Sequence, residues 1–243
     1  MSCTSISSPA RFALLSSGAM LFAFYLSAVL AEDNVRPGIN QHYQDPDFGN
    51  WVSVFETEGR EVYDQRHAII EALKIRPGMD IADVGAGTGL FTRLFARKTG
   101  KTGTVYAVDI AENFISNILR TGKEQGLTNI VGIVNNQKDT LLPANSVDLV
   151  FISDTYHHFE YPVSTLTSIR KALRPGGRLA VIDFRKQHGT SSGWVLSHVR
   201  AGRDQVVAEV NSAGFHLVQE PGLLRENYFL IFIKDNGTHA KSK

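Results

Sequence analysis

Hydrophobic and polar positions follow two alternating rhythms along this chain. Short apolar, β-branched runs near residues 80–84, 104–108, 130–134, 147–153, 178–184, 215–219 and 228–234 read as buried strands. Between them, apolar residues recur at helical spacing near 89–98, 111–125, 162–173 and 203–213. A further helix is expected over residues 60–74, with Val62, Ile69, Ile70 and Leu73 on one face, charge opposite, and Arg76-Pro77-Gly78 as its stop. Pro175-Gly176-Gly177 ends the segment at 162–173. Strands separated by crossover helices make a parallel sheet covered on both faces. The last connection breaks that rule, because only a loop around Pro221-Gly222 lies between Gln219 and Tyr228. The final strand is therefore expected to run antiparallel.

The amino-terminal pattern is different in kind. Residues 12–30 are 19 uncharged, largely apolar positions, preceded by Arg11 and followed by Ala31-Glu32-Asp33. Val29-Leu30-Ala31 fits the small-residue rule for a secretory signal cleaved after Ala31, and a stretch near the ~20 residues that span a bilayer equally fits an uncleaved anchor. Both readings allow membrane association through residues 12–30 and leave Arg11 on the cytoplasmic side. The folded part is then exported, periplasmic or secreted, or held on the outside of a membrane. The expected organisation is a leader at 1–31, a linker at 32–49, one domain at 50–234 and a disordered tail at 235–243.

Composition narrows the function classes. Of 243 residues, 43% are hydrophobic and 20% charged, enough for one packed domain. Lys plus Arg (25) nearly balances Asp plus Glu (24), so the formal charge of +1 gives no electrostatic footprint for nucleic acid. The single cysteine, Cys3, lies in the leader, and no C-x-x-C or H-x-E-x-H spacing points to a metal.

The chemistry concentrates in Asp80-Ile-Ala-Asp-Val-Gly-Ala-Gly-Thr-Gly-Leu90, where an apolar strand meets three alternate glycines and then a helix. Glycines there let the backbone turn tightly and let a ligand approach main-chain atoms. The next strand, Thr104-Val-Tyr-Ala-Val-Asp109, ends in a carboxylate about 20 residues on, where an acid accepts hydrogen bonds from a ribose diol. Dinucleotide sites use G-x-G-x-x-G, whereas this turn reads G-x-G-x-G with Leu90 in the following position. An NAD-dependent oxidoreductase is the lesser alternative.

Asp83-Val-Gly85-Ala86-Gly87-Thr-Gly89 resembles the first motif of class I S-adenosylmethionine-dependent methyltransferases, and Asp109 falls where that family places its ribose acid. The resemblance covers about residues 50–234, including Ala213-Gly214-Phe215 before the sixth strand, and within the small-molecule type it resembles the quinone-biosynthesis C-methyltransferases. It implies an α/β, Rossmann-like sheet of seven mostly parallel strands in the order 3-2-1-4-5-7-6, the last antiparallel. It also implies S-adenosyl-L-methionine as cofactor, a small-molecule acceptor and in-line methyl transfer. Asp139, or Lys138 beside it, matches the acid before Leu142-Pro143 that contacts adenine, and Asp154 matches a polar wall of the cofactor pocket. His157 and His158 fall where the methyl group is transferred, in reach of a proton on the acceptor.

Trp51, Tyr63 and Tyr156 are candidate π faces for the sulfonium. Arg60 or Arg66 is placed to pair with a carboxylate, and residues 185–203, with Lys186, His188, Trp194, His198 and Arg200, form a candidate lid of positive character. An exported domain sits uneasily with a cofactor made in the cytoplasm. A catalytically inactive binding module of the same fold would remove that tension.

Overall fold

The structure, a computed structural model, describes Met1 and residues 32–235; the expected leader and the tail beyond residue 235 lie outside the described residues. In chain order the elements are α1 (Phe48–Phe55), α2 (Glu61–Asp64), α3 (Arg66–Ala72), β1 (Ile81–Val84), α4 (Leu90–Thr99), β2 (Val105–Asp109), α5 (Glu112–Glu124), β3 (Ile130–Val134), β4 (Val147–Ser153), α6 (Pro162–Ala172), β5 (Leu173–Phe184), α7 (Gly193–His198), α8 (Arg203–Ser212), β6 (Phe215–Gln219) and β7 (Asn227–Lys234). The strands form one sheet in the order β3-β2-β1-β4-β5-β7-β6. Pairings from β3 to β5 are parallel, and β7 runs antiparallel to both β5 and β6. This is the Rossmann-like order expected above, and the short loop before β7 is the reason for its reversed direction.

The sheet centre is apolar on both faces because helices cover both. Against one face, Phe151 of β4 packs on Phe91 and Phe95 of α4 with ring centroids 4.6 and 5.2 Å apart. On the other, Val150, Ile152, Leu179 and Val181 share a cluster with Leu166 and Ile169 of α6 and Val206 and Val210 of α8. Burying each such side chain is worth about 1.5–3 kcal/mol, so these layers fix the carboxyl edge of the sheet where the site lies.

Three expectations are corrected. The helix expected over residues 60–74 is two short ones, α2 and α3, broken at Gln65. The Arg66 guanidinium donates to the Tyr63 carbonyl at 2.7 Å and lies 4.1 Å from the Tyr63 ring centre, a bond that competes with a continuous helix. β5 starts at Leu173, not near 178, because Leu173 already pairs with Val147 before the register shifts across Pro175-Gly176-Gly177. The expected linker at 32–49 is folded onto the domain. Val35 N–H donates to the Glu160 carbonyl at 2.9 Å, the Glu32 carboxylate accepts from the Val163 and Ser164 N–H groups that open α6, and buried Asn40 donates to the His158 carbonyl at 3.0 Å. Polar residues that pair with distant backbone leave no periodicity, so the stretch resembles a solvated linker in sequence.

Candidate active site

The β1–α4 turn shapes one end of the site. Gly85, Gly87 and Gly89 all take positive φ (74°, 53° and 79°). At Gly87 a Cβ would lie 3.3 Å from the Phe55 ring, and the backbone N–H there donates to Asp109 Oδ2 at 2.8 Å. At Gly89 a Cβ would meet Ile118 of α5 at 2.7 Å, so glycine lets α4 and α5 approach. Asp109, at the end of β2, also accepts from Ala111 N–H at 2.9 Å through Oδ1. Burial pushes its carboxyl up to about 6 despite those two bonds.

Gly85, Gly87, Asp109, Asp154, His157 and His158 all line one cavity of about 710 Å³ beyond the carboxyl ends of the strands, within the range of cofactor and small-ligand pockets. Asp83, Ala86, Gly89 and Asp139 do not line it. Asp83 lies beneath the turn, accepting from Thr92 Oγ1 at 2.6 Å, and burial raises its carboxyl to about 7. Its reach is to α4, so it braces the turn. Ala86 and Gly89 close the turn through a 2.8 Å bond from Gly89 N–H to the Ala86 carbonyl. Asp139 is exposed and folds back to accept from Leu141 N–H at 2.8 Å; Asn135, Asn136 and Gln137 face the cavity at that end of β3 instead.

A roof crosses the cavity from the amino-terminal side. Tyr43, Trp51 and Phe55 stack in sequence, with centroids 4.9 and 4.8 Å apart, and Tyr43 meets His158 edge-on at 4.9 Å. Glu56, next to α1, grips Arg93 of α4 with two bonds of 2.7 and 2.6 Å, which ties the roof to the glycine turn. Trp51 thus lines the cavity as expected of a π face, whereas Tyr63 packs against Arg66 outside it. Tyr156 is buried, with its hydroxyl bonded to Glu209 at 2.8 Å.

Asp154, beyond β4, is held in left-handed backbone at φ 47°. Its side chain pairs with Arg60 and accepts from Asn227 Nδ2 at 2.6 Å, while Arg60 also donates to the Phe55 carbonyl at 2.9 Å. Burial raises the Asp154 carboxyl, and Arg60 offsets only part of the rise. A strained, over-determined residue at the sheet's carboxyl edge is typical of a functional position.

The far end is built of imidazoles. His157 Nδ1 bonds Asp183 Oδ1 at 2.8 Å, and Asp183 Oδ2 accepts the His157 backbone N–H at 3.0 Å. Burial opposes protonation of His157, and the Asp183 carboxylate more than offsets it, leaving the imidazole raised. His158 has no such partner, and burial beside His157 drives it down to about 2. From α7, His198 comes within 5.2 Å of both rings, centre to centre, and stacks on Trp194 at 4.5 Å. The cations of residues 185–203 are otherwise engaged: Lys186 Nζ donates to the Val199 carbonyl at 2.6 Å and Arg200 grips Glu209 at 2.7 and 2.9 Å. The segment faces the cavity with Trp194 and His198, not with the positive charge expected of it.

Residues 82–181 match the family described as methyltransferase domain. Over that stretch, 100 of the chain's 243 residues, the chain is similar to class I S-adenosylmethionine-dependent methyltransferases. S-adenosyl-L-methionine is the cofactor of this family, and the left-handed turn, the buried Asp109 and the cavity over them fit it. The chain is 39% identical over 128 residues to a ubiquinone/menaquinone biosynthesis C-methyltransferase of Hydrogenovibrio crunogenus, covering 50% of this chain and 48% of that one. It is 32% identical over 120 residues to the enzyme of the same name from Burkholderia vietnamiensis, covering 48% of each. The chain thus spans about half the length of the curated relatives it matches. Among solved structures, a SAM-dependent methyltransferase from Aquifex aeolicus superposes with a TM-score of 0.68 at 21% identity, covering 78% of this chain and 99% of that one. A possible exported protein from Bordetella parapertussis superposes at 0.61 and 14% identity, covering 79% and 81%. At these identities the structural likenesses speak for the methyltransferase fold alone.

Sequence reasoning missed Asn40, Tyr43, Phe55, Asp183 and Phe184. Asp183 left one signal, a lone acid inside the apolar run Leu179-Ala-Val-Ile-Asp-Phe184. The amino-terminal residues left none.

Proposed function

We propose that this protein methylates a small, flat molecule bearing an aromatic hydroxyl. The observation that carries the reading is the division of one cavity into two ends: a glycine turn with a buried carboxylate, and an aromatic and imidazole chamber. The names of the curated relatives, C-methyltransferases of quinone biosynthesis, support a ring-bearing acceptor.

When bound, S-adenosylmethionine supplies a methyl group already electrophilic on a sulfonium, so the protein's task is alignment and exclusion of water. Asp109 would accept from the ribose hydroxyls, Gly85 and Gly87 would give the backbone clearance, and Asn135, Asn136 and Gln137 would hold the adenine end. Arg60 and Asp154 order the amino-acid end, where the Asp154 charge also favours the cation. Tyr43, Trp51 and Phe55 cover the chamber and stack on the acceptor ring. His157 Nε2, buried and without a hydrogen-bond partner among the described residues, accepts a hydrogen bond from the acceptor's hydroxyl. Export or anchoring through the leader remains part of this proposal, checked by mass spectrometry of the mature amino terminus.

The test is calorimetry with S-adenosylhomocysteine followed by methyl transfer to a panel of phenols, quinols, amines and thiols. Turnover of phenols or quinols supports the reading. Tight cofactor binding with no turnover of any acceptor favours the inactive binding module.

A further inference from the structure

The geometry points to a transition-metal site formed by His157, His158 and His198, three imidazoles that the chain brings together from the turn after β4 and from α7. One ring nitrogen from each lies within 4.8 Å of the other two. His157 Nε2, His158 Nδ1 and His198 Nε2 are buried with no hydrogen-bond partner among the described residues. Each such orphaned polar atom costs about 1–3 kcal/mol, so three gathered at one place call for a common partner.

The surroundings are those of a ligand set. Asp183 takes the Nδ1 side of His157 at 2.8 Å, the carboxylate–histidine arrangement that fixes a tautomer and turns the other nitrogen's lone pair towards a metal. His198 is held by its stack on Trp194, 4.5 Å and 18° between planes, and His158 by the edge of Tyr43 at 4.9 Å. Three neutral imidazoles suit Zn²⁺ and its neighbours in the first transition row, not Mg²⁺ or Ca²⁺, which take oxygen. Nitrogens bonded at about 2.1 Å in a tetrahedron sit about 3.4 Å apart, so the rings close by roughly 1 Å on loading. The cavity side remains free for a fourth ligand. Under the methyltransferase reading, and only for this role, that ligand is the acceptor's hydroxyl, whose oxygen on the loaded metal replaces the hydrogen bond to His157 Nε2 made in the metal-free protein; it gives its proton to water and stays as the bound oxyanion. Metal binding itself requires no cofactor and stands independently of that reading.

The test is titration of the chelator-treated full chain with Co²⁺, read by visible absorption, and with Zn²⁺, read by competition against a chromogenic chelator. One equivalent with the intense absorption of a four- or five-coordinate nitrogen site is expected. His198→Ala, on a rim helix, raises the Zn²⁺ Kd at least tenfold, and Asp183→Asn raises it about 10- to 100-fold. His188→Ala, on the exposed loop, leaves it unchanged. S-adenosylhomocysteine binding in the same samples reports the fold and the cofactor reading separately. Absence of stoichiometric Co²⁺ uptake, or a His198→Ala affinity equal to wild type, overturns the proposal.

Discussion

Replacing Asp109 with Ala separates cofactor binding from folding. In the folded protein the carboxylate accepts two backbone N–H bonds, from Gly87 at 2.8 Å and Ala111 at 2.9 Å, while burial opposes its ionisation. These effects on stability oppose each other, so the variant's unfolding free energy changes by only about 1 kcal/mol. Binding has no such compensation. Hydrogen bonds to a charged acceptor are worth about 1.5–3 kcal/mol each, and water admitted by the smaller side chain recovers part of two. The net loss is about 2–4 kcal/mol, or roughly 30- to 1,000-fold in the Kd of S-adenosylhomocysteine by titration calorimetry. The pH dependence carries the same signature. Ribose hydroxyls donate to the ionised form, so affinity is full above about pH 6 and falls as pH drops through the Asp109 value of about 6. Stability moves the other way: a carboxyl raised in the folded state binds more protons there than when unfolded, so stability declines as pH rises from about 4 to about 6. An Asp109→Ala protein with wild-type affinity, or binding that is flat from pH 5 to 7, refutes the reasoning.

Gly87→Val puts a branched side chain at φ 53° against the Phe55 ring; S-adenosylhomocysteine binding is lost and calorimetric unfolding shows a cost of about 1–3 kcal/mol. Arg60→Ala leaves the Asp154 carboxylate without its cation and lowers stability by about 2–3 kcal/mol in urea unfolding, with Arg60→Lys recovering part of it. Phe151→Ala opens a hole between Phe91 and Phe95 and costs about 3–5 kcal/mol by the same measurement, with cofactor affinity in the surviving folded protein little changed.

What could be read in the sequence was what local chemistry repeats. The strands are apolar through their length because helices cover both faces, so their positions and the reversed β7 were visible from periodicity and one short loop. The glycine turn and Asp109 were visible because backbone clearance and a strand-end acid are local requirements. The amino-terminal wall was not, since Asn34, Asn40 and Glu32 make bonds to residues more than 90 positions away and carry no spacing rule. Asp139 is read as the adenine contact because it matches the acid before Leu142-Pro143, whereas its side chain turns back to the Leu141 N–H. The three-imidazole cluster spans about 40 positions between His158 and His198, a separation that only the crossover of β5 and the return of α7 closes.

The most direct test of the central claim is a crystal structure of the chain with S-adenosylhomocysteine. Density for the ribose within hydrogen-bond distance of Asp109, with the sulfur directed towards the chamber of His157 and His158, is the predicted result. Ligand bound elsewhere on the chain, or a glycine turn closed over Asp109 with no room for the sugar, contradicts it.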